Sequence, residues 1–90
     1  MYLTPAEVEA TLAAHDDVVE AAVVAETDTD GIQRPIAYVV LVPGRSSEPA
    51  DLVEFCRARL AAFKRPHRVV LCEQLPKTAT GKIQRFKLRS

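Results

Sequence analysis

The longest apolar runs in the chain, Ala21 to Ala25 and Ile36 to Val42, are the length of strands. Neither approaches the roughly 18 apolar residues that a membrane-spanning helix needs. Both read as strands of a folded core, the first beginning at Val18, because β-branched side chains fit a pleated, buried surface. The second is apolar without alternation, which suggests burial on both faces. Between them lies Glu26-Thr-Asp-Thr-Asp-Gly31. Asp30-Gly31 is a turn signal, so the pair is predicted to form an antiparallel hairpin with a long polar connection. Pro43-Gly44 then ends the second strand.

Helical patterns flank the hairpin. Thr4 reads as an N-cap, with Pro5 in the first helical position, Glu7 completing a capping box, and Leu3 and Val8 placed as a hydrophobic staple. Val8 and Leu12, with Ala13 or Ala14, give a narrow apolar stripe ending near His15, where Asp16 and Asp17 mark a turn. A second helix is predicted from Pro49 through Leu52, Val53, Cys56, Leu60 and Phe63, stopping before Pro66, with Glu54, Arg57 and Arg59 on its polar face. His67 to Cys72 reads as a short third strand, Val69 and Leu71 facing one way and Val70 and Cys72 the other. The fold class is α+β: a small mixed three-stranded sheet covered by two helices, in the order helix-strand-strand-helix-strand, with a basic C-terminal tail. A right-handed crossover makes the third strand parallel to the second, and the expected spatial order is 2-1-3.

The 90 residues are expected to form a single domain, 1–90, because a chain this short holds one core. Folding should bury roughly 64% of the unfolded chain's surface within a radius of gyration of about 12 Å. So thin an interior cannot enclose a substrate, which directs any chemistry to an exposed face or a partner. Cys56 and Cys72 fit neither a disulfide framework nor a zinc site and are expected as buried free thiols. The N-terminus lacks a basic segment followed by an apolar one, so the expected location is cytoplasmic, with no membrane partner. Net charge is zero but unevenly spread: residues 1–54 carry 11 acids and 2 bases, whereas residues 55–90 carry 10 bases and a single acid, Glu73. A basic half of this kind attracts phosphate or another polyanion, unless the two halves pair in space.

Several motifs are excluded by the residues at their required positions. Gly81-Lys82 is not a phosphate-binding loop of the Walker type, since Pro76 stands where its first glycine belongs and Ile83 where its hydroxyl belongs. What remains is a lysine on a Thr80-Gly81 turn, with Gly81 lending the loop mobility, able to reach a neighbouring site and balance charge on phosphate or carboxylate oxygens. Asp28-x-Asp30-Gly31 opens like a calcium loop, but Ala37 occupies the position of the closing glutamate. His15 and His67 have no partner at metal spacing, and no metal site is expected in the chain. No serine elbow occurs. Phe63 and Phe86 among basic residues are a weak stacking signal, so nucleic acid is not expected as a partner.

Leu75-Pro-Lys-Thr-Ala-Thr-Gly-Lys-Ile-Gln-Arg85, preceded by Leu60-Ala-Ala-Phe-Lys-Arg-Pro66, resembles the C-terminal subdomain of AMP-forming, adenylate-forming ligases. Thr4-Pro-Ala-Glu-Val-Glu9, Val19-Glu-Ala-Ala-Val-Val24 and Ala37-Tyr-Val-Val-Leu41 extend the resemblance over nearly the whole chain, and Lys77 to Arg89 is most similar to acyl- and aryl-CoA ligases of the benzoate type. The resemblance implies a lid subdomain, with residues 75–90 as its catalytic-lysine loop and tail, inactive by itself. It implies two steps: activation of a carboxylic acid by ATP to an acyl-adenylate, then displacement of AMP by the thiol of CoA after the subdomain rotates. Lys82 matches the lysine that serves the first step. Phe63, Lys64 and Arg65 match the stretch lining the CoA path, whereas His67 departs from the lysine often found there. ATP, CoA and Mg are implied, with Mg and most ATP contacts in a large N-terminal ATP-binding domain, and the hinge is expected upstream of Tyr2. The context of Lys82 also resembles sites of reversible acylation, implying a lysine acetyltransferase and deacetylase as partners. On the residues alone two alternatives stay open, a stand-alone binding module and an adenylation subdomain serving a carrier protein.

Overall fold

The computed structural model describes residues 5–61 and 65–88. The Thr4 cap, the Leu3–Val8 staple and the Phe63 end of the second helical pattern lie outside them. The elements are α1 (Pro5–Ala13), β1 (Val18–Thr27), β2 (Gln33–Leu41), α2 (Pro49–Arg57), β3 (Arg68–Cys72) and a short 3-10 helix at Arg85–Lys87. Among the described residues no helix is long and apolar enough to cross a membrane.

β1 and β2 pair antiparallel from Val18↔Leu41 to Thr27↔Gln33, with a bulge between Val18 and Glu20. The turn forms as Asp30-Gly31 suggested: Gly31 has φ 78, Gly31 N–H donates to the Asp28 carbonyl at 3.0 Å, and Asp28 N–H donates to the Ile32 carbonyl at 2.9 Å. Asp28 uses its side chain to hold this loop rather than a cation. Oδ1 accepts from the Asp30 and Ile32 N–H groups at 2.9 and 3.0 Å, and Oδ2 accepts from Arg34 at 2.8 Å. The Arg34 bond first, then the Ile32 N–H, holds its carboxyl below the ordinary value.

β3 pairs parallel to β2, from Ile36↔Arg68 to Val40↔Cys72, as the crossover through α2 requires. The sheet order is β1-β2-β3, which corrects the expected 2-1-3. The reason was already present in β2: a strand that buries Ile36, Ala37, Val39 and Val40 has apolar side chains on both faces and belongs in the middle. The outer edge of β1 is in turn occupied by a side chain, since Val23 N–H donates to the Glu9 carboxylate at 2.8 Å.

The two helices lie on one face of the sheet. Val8 and Leu12 of α1 and Leu52 and Cys56 of α2 pack with Val18, Ala21, Val23, Ala37, Val39 and Val69 into the main core. α2 is shorter than the predicted pattern, because Arg59 and Leu60 N–H both return to the Cys56 carbonyl, at 3.0 and 2.8 Å, and tighten its last turn. His15 closes the end of α1: Nδ1 accepts the Asp17 N–H at 3.0 Å and the ring meets Phe55 edge-on at 4.7 Å. The Cα radius of gyration is 12.6 Å. Both cysteines are free, Cys56 buried and Cys72 half-buried. Burial pushes the Cys56 thiol up to about 11.

Candidate functional site

The opposite face of the sheet is covered by the chain's own C-terminal segment. Ala22, Val40 and Leu75 form a second small core, with Tyr38, Cys72, Ile83 and Leu88 packed around it. From Leu75 the chain makes a miniature hairpin, with Lys77 and Ile83 bridged antiparallel. Its turn is closed by three backbone bonds: Thr78 N–H to the Lys82 carbonyl at 2.8 Å, Gly81 N–H to the Thr78 carbonyl at 2.9 Å, and Gln84 N–H to the Pro76 carbonyl at 2.8 Å. Thr78 Oγ1 adds a bond from the Lys82 N–H at 3.1 Å and meets Thr80 Oγ1 at 3.0 Å. Where the sequence suggested a loose tail, two threonines and a glycine form a hydrogen-bonded turn. Gly81 sits at φ 88, and a Cβ there would meet no heavy atom within 4 Å, so the demand for glycine is one of backbone conformation rather than of space.

This hairpin decides where Lys82 points. Successive side chains on an extended segment face opposite ways. Ile83 is half-buried against the second core, so Lys82 before it is exposed. The neighbouring cations are engaged with the acidic half of the chain. Lys77 Nζ lies 2.7 Å from Glu20 Oε1, and Arg85 grips Glu9 through two nitrogens at 2.6 to 3.1 Å. Among the described residues no carboxylate pairs with Lys82. The pairing of the two halves is therefore real, with Arg68–Glu26 at 3.2 Å a third instance, yet it spares the turn lysine.

A second cationic feature lies where α2 runs on toward β3. Arg65 Nε donates to the Leu60 carbonyl at 3.1 Å, and His67 N–H donates to the Pro35 carbonyl at 2.7 Å. Together with Arg34 and Arg57 they line an open groove of about 350 Å³. Phe63 and Lys64 lie outside the described residues. Arg34 and Arg57 were invisible as site residues because only the tertiary fold brings β2 and α2, far apart in sequence, to one groove with Arg65. Glu9 was missed because its partners, Val23 and Arg85, are distant in sequence. Among the described residues no three His, Cys, Asp or Glu side chains gather as metal ligands would, so these residues do not fit a Mg ion.

The family model described as the AMP-binding enzyme C-terminal domain matches residues 7–82. The chain belongs to this family. Benzoate–CoA ligase of Thauera aromatica is 48% identical over 93 residues, an alignment covering 100% of this chain and 18% of that protein. A solved benzoate CoA ligase from Burkholderia xenovorans LB400 superposes with a TM-score of 0.90 at 47% identity, covering 99% of this chain and 19% of that one. ATP-bound MatB from Rhodopseudomonas palustris superposes at 0.92 with 30% identity, over 99% and 18% of the two chains. This AMP-binding C-terminal domain thus spans about a fifth of the length of the relatives it matches, and its α+β fold is theirs.

Proposed function

We propose that this domain is the C-terminal part of an ATP-dependent acyl- or aryl-CoA ligase, possessing Lys82 as the catalytic cation of acyl-adenylate formation. The observation that carries the reading is the exposed Lys82 side chain, which pairs with no carboxylate among the described residues while Lys77 and Arg85 on either side of it do. In the first step a carboxylate oxygen of the acid attacks the α-phosphorus of ATP, the bond to the bridging oxygen breaks, and pyrophosphate departs with its electrons. Negative charge concentrates on the α-phosphoryl oxygens as this happens. An ammonium delivered there by a neighbouring domain stabilises the transition state more than the ground state. Mg and most ATP contacts fall to the N-terminal domain, which also holds the carboxylic acid.

In the second step the domain rotates, withdrawing Lys82. The CoA thiol loses its proton and its sulfur attacks the acyl carbonyl, releasing AMP. Arg65, with Phe63 and Lys64 before it, then faces CoA, and its guanidinium supplies positive charge for the phosphates in the groove it shares with Arg34, Arg57 and His67. The benzoate–CoA ligases among its relatives favour an aromatic acid as substrate. We place the reaction in the cytoplasm. A lysine acetyltransferase that acylates Lys82 would switch off the first step by removing its charge, and a deacetylase would restore it.

Joined to its N-terminal domain, Lys82→Ala should lower the rate of adenylate formation by about 10²-fold or more while thioester formation from supplied acyl-adenylate stays near wild type. Equal loss in both half-reactions overturns the reading. Arg65→Ala should raise the KM for CoA with adenylate formation unchanged, and an unaltered KM would remove Arg65 from the CoA path. Mass spectrometry of protein purified from its source checks acylation, and Lys82 always unmodified would sink it.

A further inference from the structure

The hairpin carrying Lys82 has little core of its own, so its direction depends on what fixes its two legs to the sheet. One leg is tied by Lys77 to Glu20 of β1. The other continues through Ile83 and Gln84 to Arg85, whose Nε and Nη2 donate to both oxygens of Glu9 at 2.6, 2.7 and 3.1 Å. Glu9 is not a passing surface acid. Its side chain is only 16% exposed, and Oε2 also accepts the Val23 N–H from the open edge of β1 at 2.8 Å. One carboxylate therefore joins α1, the β1 edge and the Lys82 segment. Exposed ion pairs contribute little to stability. A forked guanidinium–carboxylate pair that is also bonded to backbone has a fixed geometry, and this fixes direction more than it adds energy.

We propose that Glu9 and Arg85 act together as a positioning clamp that aims Lys82 during acyl-adenylate formation. The proposal rests on the role assigned to Lys82 above. Arg85 stands three residues beyond Lys82, past the inward-facing Ile83, so releasing its grip lets the outer leg tilt while the sheet stays folded. Lys82 then samples positions away from the charge it must meet. Neither clamp residue touches substrate in this account.

The test uses the domain joined to its N-terminal domain, with the two half-reactions assayed separately. Arg85→Ala and Glu9→Ala should each lower kcat for adenylate formation by roughly tenfold or more, since a displacement near 1 Å can cost up to 10². KM for ATP and thioester formation from supplied acyl-adenylate should hold within about twofold, the split expected when only the transition state loses an interaction. The double variant should be no worse than either single one, because both remove the same clamp. Arg85→Lys should restore part of the loss. Glu9→Gln, whose amide oxygen still caps Val23 N–H, covers the case in which Glu9→Ala fails to fold, and should lower kcat in the same assay.

Wild-type kcat in the Glu9 variants, or losses that multiply in the double variant, overturns the clamp. If Lys82→Ala cripples adenylate formation while the clamp variants do not, the clamp alone falls. If Lys82→Ala is itself fully active, the reading of Lys82 falls first.

Discussion

Four of the described residues illustrate how a single backbone or side-chain property is used. Gly81 adopts φ 88 with open space around it, so Gly81→Ala should destabilise the domain by about 1–2 kcal/mol through left-handed strain alone, measurable by urea unfolding. Burial raises both thiols, that of the buried Cys56 to about 11 and that of Cys72, which is half-buried with Sγ 3.6 Å from the Val39 carbonyl. Thiolate is the reactive form. A thiol reagent at about pH 8 should therefore modify Cys72 first and Cys56 only on unfolding, as peptide mapping would read. Asp28, bound by Arg34 and two N–H groups, has a carboxyl pKa lowered in the folded state. Its contribution is complete above the ordinary value of 3.8 and is lost as pH falls through the folded one. The Tm advantage of wild type over Asp28→Asn should accordingly hold from about pH 6 down to about pH 4 and shrink as pH falls further.

At the scale of elements, β2 does most to organise the fold. It pairs antiparallel on one side and parallel on the other, and it contributes buried side chains to both faces of the sheet. α2 roofs one of those faces through Leu52, which is fully buried. Leu52→Ala should cost about 2–5 kcal/mol from lost burial and the cavity left behind. By contrast, Val19 is 53% exposed, and Val19→Ala should change stability by less than about 0.5 kcal/mol. Chemical denaturation of the two variants side by side checks both. The C-terminal hairpin is the other informative element. Its pattern of lysine, threonines, glycine and lysine looked like a solvated tail because it has few apolar residues. Leu75, Ile83 and Leu88 nevertheless suffice, since they are spaced to reach a sheet face that the helices leave open.

At the scale of the molecule, the acidic front and basic back of the chain fold onto one another through Arg85–Glu9, Lys77–Glu20 and Arg68–Glu26. Among the described residues, Lys82 and Arg65 are left without a carboxylate partner, Arg65 in a groove it shares with Arg34, Arg57 and His67. Sequence alone determined the α+β class, the hairpin, the parallel third strand and the lysine motif, because each depends on residues close together in the chain: an apolar period, a turn dipeptide, a crossover of fixed hand, a run of signature residues. The tertiary structure decided the order of the strands, the early end of α2 at Arg57 and the partners of each charge. These depend on which edges and faces remain open once the first hairpin has formed. No local pattern tells Arg85 that Glu9, in the chain's first helix, is the carboxylate it will meet. That distance in sequence is why a lysine could be singled out from its neighbours while the pair that holds it in place could not.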